Sequence, residues 1–216
     1  EVNIMGSLNL LQNAVKYGTK KVIFASTGGA IYGEQDYFPA DEKHPIRPLS
    51  PYGVAKLSVE SYLYFYQATY NLDYTVLRYA NIYGPRQDPY GEAGVVAIFT
   101  QKLLKNEQPV INGDGEQTRD YTFVDDVVEA NSLVLTRGFR GVFNVGTGVE
   151  YSVNELYKRL TQLINSDILP LYGPFKHGEQ RRSLLAWDKI NKVTGWRPRF
   201  SFDEGLKKTI SYFRGA

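Results

Sequence analysis

Lys21-Val-Ile-Phe-Ala25 runs into Ser26-Thr-Gly-Gly29, and one loop later Ser50-Pro-Tyr-Gly-Val-Ala-Lys56 opens a stretch with helical apolar spacing. The first run is short, β-branched and aromatic, the composition of a strand buried on both faces of a parallel sheet. Its polar end, Ser26 to Gly29, reads as a turn. Tyr52 to Tyr70 carries Val54, Leu57, Leu63 and Phe65 at helical spacing, so strand, loop and helix follow in the order of a β/α unit. Upstream, Ile4, Leu8, Leu11, Ala14 and Val15 share one side of another helix over residues 3–17.

Downstream the alternation continues. Tyr74 to Tyr79 is a strand whose exit, Asn81-Ile-Tyr-Gly-Pro85, is a turn that Gly84 and Pro85 close. Gly94 to Lys105 has helical character, Val110-Ile111 is a short strand, and Asn112-Gly-Asp-Gly115 is a turn leading to the strand Tyr121 to Val124. Asp125 offers an N-cap for a helix to about Leu135, and Val142 to Val145 is a strand before Gly146-Thr-Gly148. Ser152-x-x-Glu155 and Ser201-x-x-Glu204 are capping boxes for two further helices. The pattern predicts an α/β fold with a largely parallel sheet, joined after Gly84 by a smaller mixed region of shorter elements.

The 216 residues are 43% hydrophobic, enough for a sizeable core. With 25 basic against 23 acidic residues, the net charge of +2 gives no electrostatic case for nucleic acid, so any anion must be held locally. The absence of cysteine excludes disulfides, thiolate metal sites and cysteine nucleophiles, and makes the cytoplasm the simplest location. No apolar run approaches the roughly 18 to 20 residues needed to span a bilayer. His44 and His177 lack companion ligands at metal spacing, so no metal site is expected.

Tyr52 and Lys56 share one helix face. An ammonium beside a phenol favours the phenolate, which would bring the tyrosine toward the range of a general acid/base. A hydroxyl from Thr27, at the end of the preceding strand, would bond the same substrate oxygen. Spacing alone also fits a solvated helix pair. Arg119 suits a diphosphate because a guanidinium grips phosphate oxygens with paired donors; the alternative is a surface ion pair with Asp120 or Asp114. Asn112 to Gly115 reads as a turn and not a phosphate cradle, since no helix follows it at once, and Trp187 and Trp196 read as core anchors.

The order Ser26-Thr27, Ile31-Tyr-Gly33, acidic loop, Ser50-Pro-Tyr52-x-x-x-Lys56, Arg78-Tyr-x-Asn81-x-Tyr-Gly-Pro85 resembles the extended short-chain dehydrogenase/reductases of the NAD-dependent epimerase/dehydratase family. The resemblance continues through Val110 to Gly115, Arg119-Asp-Tyr121, Val124-x-Asp126, Phe143 to Gly146, Gly178-Glu179 and Gly195-Trp-x-Pro198, nearly the whole chain. It implies a partial Rossmann-like, doubly wound parallel sheet. Residues 1–84 would be the C-terminal half of an NAD-binding domain, with contributions from about 116–146, and residues 85–216 mainly a nucleotide-sugar-binding region. The glycine-rich turn for the NAD pyrophosphate is not in this sequence, and Gly146-x-Gly148 lacks the third glycine, so the chain reads as a fragment in which NAD and NADP cannot be told apart.

The resemblance assigns Tyr52 as the acid/base, Lys56 as the holder of the nicotinamide ribose, Thr27 as the catalytic hydroxyl with Ser26 in reserve and beside the cofactor, and Tyr79 near the nicotinamide. It places Asn81, Ile111, Arg119, Lys176, Glu179 and Ser183 around a UDP-sugar, Glu179 at the nucleoside ribose. Lys176 stands where the family usually has Arg, with Arg181 and Arg182 as nearby substitutes. The implied reaction is NAD-dependent 4-epimerisation of a UDP-hexose through a 4-keto intermediate. Dehydration is disfavoured because Gly28 and Gly29 stand where dehydratases carry an Asp-Glu pair. Rivals are a UDP-glucuronate decarboxylase or 4-epimerase and a non-catalytic nucleotide-sugar-binding protein. Small Ser183 suggests room for the N-acetylated sugars, and the family implies a homodimer through helices 3–17 and 52–70.

Overall fold

A computed structural model describes residues 2–90, 94–175 and 178–215. Three parallel strands, β1 (Lys21–Thr27), β2 (Asp73–Tyr79) and β6 (Gly141–Val145), lie side by side in the order β1-β2-β6. Their register aligns Thr27 with Tyr79 and Tyr79 with Val145, so the carboxyl ends of all three strands meet at one level. Between β6 and β2 in sequence lie the other short strands: β3 (Asn81–Tyr83), β4 (Val110–Asn112) and β5 (Thr118–Phe123); β7 (Glu150–Ser152), β8 (Leu171–Gly173) and β9 (Arg182–Ser183) follow β6.

The sheet is covered on both faces because adjacent residues of a strand point oppositely. Val76 joins Leu11, Val59, Leu63 and Tyr66 under α1 (Ser7–Lys16) and α3 (Pro51–Tyr70). Its neighbour Leu77 joins Val127, Ala130, Val134, Phe143 and Trp196 under α5 (Val124–Thr136) and α7 (Asp188–Thr194). This is the doubly wound arrangement that the sequence implies, and Trp196 is a core anchor at 1% exposure. Between β1 and α3 comes α2 (Gly28–Tyr32), a single short helix where the sequence suggested only a turn.

A second core gathers Phe99, Leu103, Ile111, Tyr121, Phe123, Leu156, Leu160, Leu206 and Ile210. It lies among α4 (Val95–Leu104), α6 (Val153–Ile164), α8 (Phe202–Arg214) and the sheet in which β5 pairs with β3, β7 and β9. Both capping boxes form, with the Ser152 and Ser201 side chains accepting from the N–H groups of Glu155 and Glu204. Each serine contributes about 1 kcal/mol to its helix start.

Some local readings are corrected. Asn81–Tyr83 is strand β3 and not a turn: it pairs in parallel with Tyr121–Phe123, and the chain leaves it at Gly84 with φ +153. Helix α5 begins at Val124 with Phe123 as its cap residue, so Asp125 sits in the first turn and not at the cap. Gly146-Thr-Gly148 closes on a side chain. Buried Asp120 accepts from the N–H groups of Thr147 (2.9 Å) and Gly148 (3.2 Å) and from the Thr147 hydroxyl (2.7 Å), which turns those amides inward. A Cβ on Gly146 would lie 2.6 Å from the Asp120 carboxylate, so that close approach requires glycine.

His44 is a satisfied core residue. Its Nε2 accepts from the Asp36 N–H at 2.8 Å and its Nδ1 bonds the Pro45 carbonyl at 2.7 Å. Among the described residues there is no cluster of three His, Cys, Asp or Glu fit to hold a metal, and no helix long and apolar enough to cross a membrane. His177 lies outside the described residues.

Candidate functional site

The carboxyl ends of parallel strands are where an open α/β sheet leaves a crevice. Here the ends of β1 and β2 and the start of β3 line a cavity of 350 Å³ with Ser26, Thr27, Tyr79 and Asn81. Tyr52 enters it from the first turn of α3, whose start the sequence fixes closely. The Ser50 side chain accepts from the Gly53 N–H at 3.1 Å and Pro51 occupies the first helical position. A Cβ at Gly53 would lie 2.4 Å from the Ala30 carbonyl, so this glycine is what lets α3 approach α2 and bring Tyr52 to Thr27.

Thr27 caps α2, its Oγ1 accepting from the Ala30 N–H at 3.4 Å. A hydroxyl oriented as an acceptor by its own helix keeps its proton for another partner. Ser26 differs: it lines the cavity but donates its proton to Glu60 Oε1 at 2.6 Å and is 3% exposed. The two adjacent hydroxyls are thereby sorted, and the reserve role sketched for Ser26 meets a proton already given to Glu60.

The expected electrostatic effect of Lys56 on Tyr52 is corrected. The Lys56 ammonium donates to the Ala25 carbonyl at 2.9 Å and stands over the Phe24 and Tyr52 rings, 4.9 Å and 5.6 Å from their centroids. Its hydrogen bond goes to the β1 backbone and not to the phenol oxygen. Burial dominates both groups, pushing the Tyr52 phenol above its ordinary value and the Lys56 ammonium below its own. Tyr79 is also raised by burial, against a hydrogen bond from Asn131 that acts the other way.

Asn81 and Arg119 are shared with a second cavity of 220 Å³, whose walls include apolar Val95, Ile98, Phe99 and Val110 and polar Asn112, Gln117, Tyr121 and Glu179. Two buried polar atoms of this wall, Gln117 Oε1 and the Tyr121 hydroxyl, have no hydrogen-bond partner. Arg119 pairs with Glu179 at 3.2 Å, so neither Asp120 nor Asp114 is its partner: Asp120 is held by the loop after β6, and Asp114 pairs with Arg181 at 2.8 Å.

A third space of 390 Å³ adjoins Tyr52, Arg119, Glu179 and Gln180. Gln180 faces both this space and the strand-end cavity, and its amide donates to the Gly33 carbonyl. No pattern in the sequence marks it.

Other expected residues fall differently. Ile111 is 1% exposed in the second core, and strand alternation turns Val110 and Asn112 to the cavity instead. Ser183 is 2% exposed behind the α2 start, its Oγ 3.1 Å from where a Gly29 Cβ would stand. Lys176 lies outside the described residues. Arg181 and Arg182 are poor substitutes for it, since each is committed to a carboxylate, Asp114 and Glu150. Gln87 was not anticipated; it lines the strand-end cavity and keeps a buried Oε1 without a partner, an acceptor suited to a carboxamide N–H or a sugar hydroxyl. The residues present therefore fit the nicotinamide-ribose end of a dinucleotide.

Residues 1–146 match the family described as NAD dependent epimerase/dehydratase. The chain is 44% identical over 216 residues to the UDP-glucose 4-epimerase of Mycolicibacterium smegmatis, covering 99% of this chain and 68% of that protein. Among solved structures, the Thermotoga maritima UDP-glucose 4-epimerase with UDP-glucose is 54% identical with a TM-score of 0.95, over 99% of this chain and 69% of that one. The Thermus thermophilus UDP-glucose 4-epimerase complex with NAD is 43% identical with a TM-score of 0.93, over 100% and 70%.

Proposed function

This chain belongs to the NAD dependent epimerase/dehydratase family and is an NAD-dependent enzyme; we propose that its reaction is the 4-epimerisation of a UDP-hexose, UDP-glucose or UDP-galactose. The observation that carries the reading is that Thr27 and Tyr52 face one cavity with Asn81 and Arg119, and that the last two continue into the next. A substrate with a polar head, an anionic middle and a hydroxylated end fits that line. The 220 Å³ cavity takes the uridine, with apolar walls for the base and unpartnered Gln117 and Tyr121 for its polar edge. Arg119 and Asn81 hold the diphosphate at the junction, Glu179 accepts from the ribose, and the hexose reaches the 350 Å³ cavity.

There Tyr52, in its phenolate form, takes the proton of the 4-hydroxyl as C4 is oxidised and returns it when the sugar presents its other face; the Lys56 ammonium, with the positive charge that bound NAD would bring, has to offset the burial that raises the phenol. Thr27 donates its free O–H to the same oxygen, holding it in line and stabilising the charge that gathers there. Lys56 fixes the Tyr52 ring and, with Tyr79, borders the cofactor. NAD supplies reversible hydride acceptance at the sugar carbon.

Elimination of water needs an additional acid/base pair, and the first position after Thr27 is too crowded for one of its members. A Cβ on Gly28 would lie 2.4 Å from Leu185 Cδ1, and Leu185 is 0% exposed, so an acidic side chain there would have to displace the core. The N-acetylated sugars are included in the proposal through Ser183, whose small side chain backs the same turn; Ser183→Tyr is expected to slow the N-acetylated substrate relative to UDP-glucose. The proposed assembly is a homodimer through helices 3–17 and 52–70, supported by exposed Leu10, Tyr64 and Phe65, and sedimentation at two concentrations tests it.

The deciding experiment is proton NMR of UDP-glucose with the full-length protein and NAD. Appearance of UDP-galactose, abolished by Thr27→Val and retained by Ser26→Thr, supports the reading; a 6-deoxy-4-keto or decarboxylated product would exclude it.

A further inference from the structure

Beneath the strand-end cavity lies a buried polar network that the proposed chemistry does not use. Glu60 sits four residues after Lys56 and eight after Tyr52, on the same face of α3. It is 8% exposed, and Arg78 of β2, 4% exposed, grips it with two donors, Nη2 at 2.6 Å and Nε at 3.1 Å. The third donor is Ser26 Oγ at 2.6 Å. Arg78 also donates to the Tyr32 hydroxyl at 3.0 Å, which donates to Asn144 Oδ1 of β6 at 2.8 Å. Directly through Ser26 and Arg78, and onward through Tyr32, the carboxylate links α3 to β1, β2, α2 and β6 under the cavity.

A buried ion pair of this kind is weak as a source of stability, because desolvating both charges offsets most of their attraction. Its geometric effect is specific. Lys56 fastens α3 to the Ala25 carbonyl, and Glu60, one turn further along, fastens it to the Ser26 hydroxyl, so two consecutive residues of β1 are clamped to the helix that bears Tyr52. The next residue in β1 is Thr27.

We infer that Glu60 is a positioning residue for the proposed reaction: by holding Ser26 against α3 it sets how the Thr27 and Tyr52 hydroxyls converge, and it withholds the Ser26 proton from the sugar. The inference rests on Thr27 and Tyr52 being the acting pair. Displacing one of two groups that must meet a single oxygen lowers turnover without loosening the nucleotide, whose contacts lie at Arg119 and beyond.

The test uses the full-length protein with NAD bound. Ser26→Ala removes the tie and leaves the Glu60–Arg78 pair intact. It is expected to lower kcat on the order of tenfold, with KM for the UDP-sugar and the affinity for UDP unchanged, and Ser26→Thr to restore kcat. Glu60→Gln sets an amide donor against Arg78 or Ser26 and is expected to lower kcat at least as far, and in the double variant the two losses should not multiply, because both act on one tie. Wild-type kcat in Ser26→Ala, losses that multiply, or a change confined to KM each overturns the inference. Should Glu60→Gln fail to fold, the Ser26→Ala and Ser26→Thr pair decides alone. Failure of the underlying reading shows separately, as wild-type turnover in Thr27→Val or Tyr52→Phe.

Discussion

The Lys56 ammonium stands 5.6 Å from the centroid of the Tyr52 ring and gives its hydrogen bond to the Ala25 carbonyl at 2.9 Å, with none to the phenol oxygen. The contact belongs to the ring. A phenylalanine keeps it.

Tyr52→Phe should therefore leave Lys56 seated and the fold intact while removing the proton carrier. Turnover of UDP-glucose is expected to fall about 10³-fold, within the range general acid/base groups contribute, with UDP affinity by calorimetry unchanged. Loss of UDP binding in a folded variant would show that the tyrosine holds substrate instead.

Burial raises the Tyr52 phenol above the ordinary 10.0. The folded chain then keeps a proton that the unfolded chain releases, so this group's contribution to stability is present below pH 10 and is lost as pH rises through the folded value. Subtracting the Tyr52→Phe titration, followed by phenolate absorbance without nucleotide, should leave one ionisation above pH 10. A step below that pH would mean that the ammonium, and not burial, sets the phenol.

Arg119 borders all three spaces and carries the junction between them. Arg119→Lys keeps the charge and loses the fork, which should weaken UDP about tenfold, the equivalent of one charge-assisted hydrogen bond. Arg181→Ala should change it little, since Arg181 is held by Asp114. Equal losses from both would spread diphosphate binding over the arginine cluster.

Asp120 is surrounded by donors: the N–H groups of Thr147, Gly148 and Leu185 and the Thr147 hydroxyl. Asp120→Asn turns an amide toward them and should cost about 2 to 3 kcal/mol, read as a lower thermal midpoint. An unchanged midpoint would show that the loop after β6 is held by other contacts.

The sequence by itself determined the order of the main strands and helices, though not α2 or β3, together with both capping boxes and the placement of Tyr52 and Lys56 on one helix face, because these depend on spacing within a dozen residues. It named Thr27 and Arg119 through ordered motifs, but nothing in it singled out Glu60 or Gln180. What only the tertiary structure decided was which groups were still free. Ser26 gives its proton to a helix 34 residues away, Arg119 finds Glu179 60 residues away, and Arg181 finds Asp114 67 away. Ile111 yields the cavity to Val110 and Asn112 because the face a strand presents is set by its neighbours. Hydrogen-bond capacity and desolvation are properties of the folded surroundings, and no local pattern encodes them.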